Sequence, residues 1–503
     1  MIPVLVAVGV LALAWLGRRM ARGRGRSVRI TSATLLAGAG LIVALVVSAG
    51  LAAPFSPWDT VRIAPAMALL KGHPLYAGTG SGAVLSTMYG PIATLAFVPA
   101  AMVGDPALAA VLGRWLAFLF TFAPLVACCR LSAPAPGRSW RMTVLVVGTF
   151  GLLVAPSLRY STTFLHADAP ALGLLGLACL LAARPGGPGL GAAIACALAI
   201  LTKQTMATLP PALIVAGWLV AGRAAALRFA AVLCLTGAAF VATTWWLVDR
   251  DDLLLNLVKI PGGVPWRGQA PGNLAATVAE MLVHGLPFLA ALGVFGSCRT
   301  DDESARRAKV FAIAALALAP MAVLGRVKQA GDVNSFSPAL YPLLLAVASR
   351  AAAVGPPLAI RRGTVAAMAV LIVFGSMRLA EEIRLLTKER AFDTESAFLK
   401  AHPGEVYFPW NPAAHVAVEG RPTHHLFSAW ERGEAGFPVR EAHLRSGLPR
   451  GCRYVAFPLK RLGPMVGFGS CVQMLERYDL LAKPATPVRL AGLPDYECYA
   501  LTR

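Results

Sequence analysis

Charge is what this sequence has least of, and negative charge least of all: 14% of its 503 residues are charged, with 25 Asp and Glu against 46 Lys and Arg. With 57% hydrophobic residues and a mean hydropathy of +0.65, too little polar surface remains to clothe a soluble globule. Nine cysteines are present, none at zinc-ligand spacing. The net charge of +21 does not indicate nucleic acid. The arginines neither line one amphipathic face nor alternate with exposed aromatics; they punctuate apolar segments, as topology determinants do.

What the chain has in abundance is apolar runs of about 15–23 residues with few internal charges, the pattern of a polytopic α-helical membrane protein. Spans are expected near 3–17, 31–53, 107–127, 142–157, 169–183, 189–203, 208–221, 226–248, 276–296, 308–325, 336–350 and 363–379, about twelve in all. Several fall below the roughly 20 residues that cross a bilayer, so tilted pairs or borrowed flanking residues are expected. PIATLAFVPAAMV, 91–103, reads as a re-entrant or interfacial helix, because the GDP that follows carries no basic residue.

The positive-inside rule orients these spans. Arg18, Arg19, Arg22, Arg24, Arg26 and Arg29 lie between the first two, and later basic turns at Arg130/Arg138/Arg141, Arg223/Arg228, Arg299/Arg306/Arg307/Lys309 and Arg361/Arg362 fall on the same side. With that side cytoplasmic, the loops 54–90, 157–168, 204–207, 249–275 and 326–335 and the tail from about 380 face outward. Residues 1–17 read as a reverse signal anchor, since the basic cluster follows the apolar run instead of preceding it.

Beyond Met377 the composition becomes that of a soluble protein. Two domains are expected: a transmembrane domain over 1–380 and a small extracytoplasmic α/β domain over 381–503, with strands at EVYFPW, 405–410, and CRYVAFPL, 452–459. The tail opens on EEIRLLTKERAFDTESAFLKAH, whose apolar positions repeat at helical spacing. Cys128, Cys129, Cys179, Cys196, Cys234 and Cys298 read as small packing residues. Of Cys452, Cys471 and Cys498, one pair is placed to bridge in an oxidising compartment.

Chemistry must sit in the few polar residues of the outer loops. Asp59, in SPWDT, follows the apolar run 31–53 after five residues, beside Trp58 at headgroup level. YSTTFLHADAPALG, 160–173, repeats the arrangement with His166 and Asp168 at the mouth of a span. Each acid also suits a helix N-cap. Lys203 ends its span on the outside, against the charge bias; it reads either as a snorkelling lysine or as a cation for a phosphate at headgroup level. Arg326, Lys328, Asp332 and Asn334, with Lys259, Trp266 and Arg267, complete a rim of separate acids and cations.

Taken together, an acid at the start of a long first outer loop, GHPLY at 72–76, YGP at 89–91 with Tyr89, then HADAP and LTKQT, resemble the GT-C superfamily of integral-membrane glycosyltransferases over residues 31–350. The similarity is to the group of protein O-mannosyltransferases, aminoarabinose transferases and bacterial lipopolysaccharide sugar transferases. It implies a polyprenyl-phosphate sugar donor, a glycolipid, polysaccharide or protein acceptor, inversion at the anomeric carbon, and a site on the outer face of the cell inner membrane. It places the first-loop acid on Asp59 and the second-loop acid on Asp168. Many members carry two acids in the first loop, whereas Thr60 follows Asp59, so metal binding by this loop is not implied; a divalent cation is the one cofactor left open.

In that reading Asp59 is the general base for an acceptor hydroxyl, and Lys203, Arg326 and Lys328 stabilise the departing lipid phosphate. His166, Asp168, Asn334 and Tyr89 orient the substrates. Nucleotide-sugar transferases need a phosphate cradle or a metal-binding acid pair, and no such loop is present. Two other classes remain: a secondary transporter, which would show inverted repeats and mid-membrane polar residues, and an O-antigen-type ligase or polymerase, which would lean on arginine and histidine in a large outer loop.

Overall fold

The computed structural model describes residues 57–78, 80–85, 88–131, 138–266, 270–298, 302–329, 331–354, 391–459, 468–483 and 485–502, with 15, 34, 37–45, 372, 373, 376 and 377 besides. The spans expected at 3–17 and 363–379 lie almost wholly outside these residues, as do the arginines of 18–29, Arg267, Arg299, Arg361, Arg362 and the boundary at 380. Residues 37–45 of the second expected span are helical.

Fifteen α-helices follow in the described part of the membrane region: α1 (Pro57–Leu70), α2 (Pro91–Leu95), α3 (Val98–Ala101), α4 (Pro106–Leu131), α5 (Arg138–Val154), α6 (Pro156–Thr163), α7 (Asp168–Ala182), α8 (Leu190–Thr202), α9 (Leu209–Ala221), α10 (Arg223–Leu247), α11 (Arg250–Leu254), α12 (Ile260–Gly263), α13 (Ala270–Gly296), α14 (Asp302–Val327) and α15 (Ser337–Ala353). Among the described residues six helices are long and apolar enough to cross a membrane, seven if α5 and α6 are one broken span. The chain is a multi-pass α-helical membrane protein. Helices α7 and α8 are shorter and equally apolar. The segment 91–103 forms only the two short helices α2 and α3, too short to cross. Between α5 and α6 the chain bends by 88°: Pro156 cannot supply an amide to continue α5, and Ala155 before it is extended, at φ −63° and ψ 121°.

Small side chains let the helices approach closely where apolar burial alone gives little drive in lipid. A Cβ on Gly173 of α7 would stand 2.8 Å from the Phe120 carbonyl of α4. Cys128, Cys129, Cys179 and Cys196 are buried in the same core, as packing residues. Hydrogen bonds from Tyr341 to the Thr121 carbonyl (2.7 Å) and from Trp140 to the Ala351 carbonyl (2.7 Å) pin α15 between its neighbours.

From residue 391 the chain forms α16 (Ala391–Ala401), β1 (Val406–Tyr407), α17 (Pro412–Glu419), α18 (Leu426–Glu434), α19 (Glu441–Ser446), β2 (Tyr454–Pro458), α20 (Phe468–Arg477) and β3 (Tyr496–Ala500). The strands lie in the order β1-β2-β3. β1 is parallel to β2, and β3 runs antiparallel, pairing Tyr454 with Ala500. The two strands expected from sequence are thus joined by a third. All nine cysteines are free, so the bridge expected in the tail does not form.

This C-terminal unit shares its interior with α1 and the loop that follows it. Ala413 and Val416 of α17 bury against Ile63 and Met67 of α1, and Ala77 and Val84 enter the core around Trp410 and Leu426. Thr60 donates to the Trp410 carbonyl (2.7 Å), and the His425 amide donates to the Val84 carbonyl (2.7 Å).

Candidate active site

Neither acid singled out in the sequence caps a helix. Asp59 lies inside the first turn of α1. Its fully buried carboxylate accepts two hydrogen bonds from Arg114 of α4, from Nε at 2.9 Å and Nη2 at 2.6 Å, and a third from the Leu165 amide at 3.1 Å. Burial pushes this carboxyl above its ordinary range, and Arg114 opposes that shift. In this structure the carboxyl is sealed from solvent and held by three hydrogen bonds, which tie α1 to α4 and to the loop at Leu165.

One turn along α1, Arg62 donates to the Leu165 carbonyl (2.8 Å) and the Tyr160 hydroxyl (2.6 Å). Asp59 and Arg62 therefore hold the two sides of residue 165, and with it the loop carrying His166. The guanidinium lies against the Trp58 ring, 5.6 Å from its centroid, and forms no ion pair with any described residue.

Asp168 opens α7 with no capping bond. Instead its carboxylate binds Lys203 on one oxygen; the other accepts from Asn334 (2.8 Å) and Ser161 (3.1 Å) and lies 2.7 Å from His166 Nδ1. That contact is shorter than the 3.2 Å from the Asp168 amide to the same nitrogen, so Nδ1 carries the proton and Nε2 accepts from the Tyr89 hydroxyl, 3.0 Å away. Burial holds His166 neutral, down at about 4, against the pull of Asp168. A chain of contacts thus runs Lys203, Asp168, His166, Tyr89.

Local sequence explains how these side chains meet. Helix α8 stops at Thr202 because Lys203 is extended, at φ −148° and ψ 127°. The Gly90 amide donates to the Thr202 carbonyl (3.2 Å), an approach only glycine permits: a Cβ there would stand 1.8 Å from the Leu201 carbonyl oxygen. Pro91 then starts α2, so each residue of YGP has a task. In GHPLY, Gly72 takes φ +80° after α1, His73 contacts the Gly420 carbonyl (3.0 Å), and Tyr76 donates to the Tyr89 carbonyl (2.9 Å).

Arg62, Tyr89, Thr94, Phe97 and His166 line a narrow open cleft with about 20 Å³ of free interior. Of the residues expected from sequence, Tyr89, His166, Asp168, Lys203 and Asn334 converge, and Asp59 joins them through Leu165. Arg326 and Lys328 do not. Arg326 pairs with Glu280 (3.0 and 3.1 Å), and Lys328 donates to the Pro261 carbonyl with its ammonium 5.0 Å from the Trp266 ring. Arg62, Arg114 and Ser161 escaped the sequence reading. An arginine within an apolar helix signals a buried partner, and Arg114 could have been found that way. A divalent cation does not fit here: Asp59 and Asp168 already bind cationic side chains, and among the described residues no three His, Cys, Asp or Glu come together as a ligand set.

No protein-family model matches this chain, and no curated protein matches it in sequence. Its fold does match solved structures. ArnT from Cupriavidus metallidurans bound to undecaprenyl phosphate superposes with a TM-score of 0.56 at 12% identity, covering 92% of this chain and 96% of that one. The same enzyme in the apo state gives 0.54 at 13% identity, with the same coverage. The chain shares the fold of these structures over nearly its whole length.

Proposed function

We propose that this protein is a membrane glycosyltransferase that moves a sugar from a polyprenyl-phosphate donor to an acceptor hydroxyl at the outer face of the cell inner membrane, with inversion. The observation that carries this reading is Arg62: a guanidinium at the cleft, without a carboxylate partner among the described residues, beside the Tyr89–His166–Asp168–Lys203 chain. Such a cation suits a lipid-linked phosphate, and a solved protein of the same fold holds undecaprenyl phosphate.

In the reaction the acceptor oxygen attacks the anomeric carbon, the bond from that carbon to the phosphate oxygen breaks, and its electron pair leaves with the polyprenyl phosphate. A phosphate is a stable anion, so the leaving group needs fixed positive charge and no strong acid. Arg62 supplies that charge, with the Lys203 ammonium behind Tyr89, 5.8 Å from the ring centroid. His166 and Tyr89 orient the sugar, and Asp59 and Asp168 position the groups that touch substrate. The acceptor is a glycolipid, polysaccharide or protein.

Membranes with and without the protein, given radiolabelled polyprenyl-phosphate sugars, test the reading. Label should pass to an acceptor only where the protein is present, and Arg62→Gln should weaken donor capture. No transfer from any sugar in the series would refute the assignment.

A further inference from the structure

Lys203 and Gln204 are consecutive in LTKQT, and each holds one half of the cleft. Lys203 binds one oxygen of Asp168, whose other oxygen lies 2.7 Å from His166 Nδ1. Gln204 reaches toward the other half. Its side-chain nitrogen donates to the Met88 carbonyl at 2.6 Å and to the Leu257 carbonyl at 2.9 Å. Met88 precedes Tyr89, whose hydroxyl meets His166 Nε2 at 3.0 Å. Two neighbouring residues thus hold the two partners of one hydrogen bond.

The backbone explains this division. Lys203 is extended, and a 3-10 helix over Gln204–Thr208 begins immediately after it; successive side chains leave an extended residue on opposite sides. Carbonyl oxygens only accept, so the end of the Gln204 amide that faces two of them is its NH2 group. The far anchor is itself fixed. Leu257 lies in a π-helical turn, Leu255–Lys259, a form that recurs at functional sites. Within that turn Asn256 donates to the Ala77 carbonyl at 3.1 Å, and Leu255 and Ile260 at its edges bury against Ala435 of the C-terminal unit. Tyr76 holds the Tyr89 carbonyl at 2.9 Å. Gln204 therefore ties the Tyr89 loop to an anchor that the C-terminal unit supports.

We propose that Gln204 is a positioning residue: by clamping Met88 to the π-helical turn it sets the Tyr89 hydroxyl against His166, and so fixes the pair that orients the transferred sugar. The inference rests on the transferase reading. Gln204 does not touch substrate and acts through Tyr89. Without its two hydrogen bonds the Met88 and Leu257 carbonyls lose their shared donor, and the Tyr89 ring is free to leave His166. The donor phosphate, held by Arg62, still binds. A glutamate cannot take the place of Gln204, since a carboxylate has no proton to offer either carbonyl.

The test is a double-mutant cycle in proteoliposomes between Gln204→Met, which keeps the volume and removes both donors, and Tyr89→Phe. Transfer from radiolabelled polyprenyl-phosphate sugars is measured, and binding of undecaprenyl phosphate separately. Gln204→Met should lower the maximal transfer rate by about 10–100-fold, the effect of two hydrogen bonds, while binding the sugar-free lipid phosphate as well as wild type. Added to Tyr89→Phe, the same substitution should cost no more than about twofold, because no hydroxyl is left to place. Gln204→Asn, which keeps the amide on a stem one methylene shorter, should lose less than Gln204→Met. Transfer by Gln204→Met within a few-fold of wild type overturns the inference and leaves the transferase reading intact. Losses that multiply in full in the double variant, or lost lipid-phosphate binding in both Gln204 variants, overturn it in favour of a general structural role. A wild-type protein that transfers nothing removes the transferase reading and this inference together.

Discussion

Asp59 and Arg114, 55 residues apart in sequence, meet in a two-point ion pair with both side chains buried. The pair joins α1 to the apolar helix α4 of the membrane region. Removing one partner strands the other charge, which costs about 3–5 kcal/mol.

Asp59→Asn should therefore lower the melting temperature of the detergent-solubilised protein markedly, and Asp59→Asn combined with Arg114→Gln should recover much of the loss. Unchanged stability together with abolished transfer would return Asp59 to the role of base.

Arg62 is placed to act on the donor. Arg62→Gln should raise the donor concentration needed for half-maximal transfer by roughly 10–100-fold, the effect of about 1.5–3 kcal/mol for a charged hydrogen bond, while maximal rate changes less. A fall in maximal rate with the half-maximal donor concentration unchanged would instead point to a contact made only in the transition state.

Gly90→Ala should be far more damaging than its one added methyl suggests. The Cβ would need space 1.8 Å from the Leu201 oxygen, forcing apart the loop that carries Tyr89 and the helix end that carries Lys203. Lost transfer with a lowered melting temperature is expected; wild-type behaviour would show that the two backbones are not in contact.

Acid should loosen the join between loop and C-terminal unit. Burial lowers His424 from an ordinary 6.5 to about 4 and His425 to about 3, so the unfolded chain takes up these protons first. Their contribution to stability is complete above pH 6.5 and is lost progressively as pH falls toward 4 and 3. His424 Nδ1 accepts from the Val84 amide (2.9 Å), a bond that protonation forbids. Between pH 7 and pH 5 the wild type should lose melting temperature relative to His424→Asn, which no longer takes up one of these protons on unfolding; parallel profiles for the two proteins would contradict the burial of this ring.

The sequence reading recovered what depends on local pattern. Apolar runs marked the spans, and Tyr89, His166, Asp168, Lys203 and Asn334 stood out because polar residues are rare at the outer ends of such runs. What it missed depends on contacts remote in sequence. Arg114 looks like any isolated arginine until Asp59 is set beside it. Arg326 and Lys328 were right in sign and wrong in availability, because Glu280 and the Pro261 carbonyl, which engage them, lie 46 and 67 residues away. The strand YECYA escaped the reading because its partners, β2 and Val488, are brought to it only by the fold.

The most direct test of the account is sugar transfer by the purified protein in proteoliposomes containing a radiolabelled polyprenyl-phosphate sugar and an acceptor hydroxyl. The account predicts label in the acceptor, free polyprenyl phosphate in equal amount and inverted anomeric configuration, all reduced by Arg62→Gln. Retained configuration, or no release of polyprenyl phosphate from any donor in the series, would contradict it.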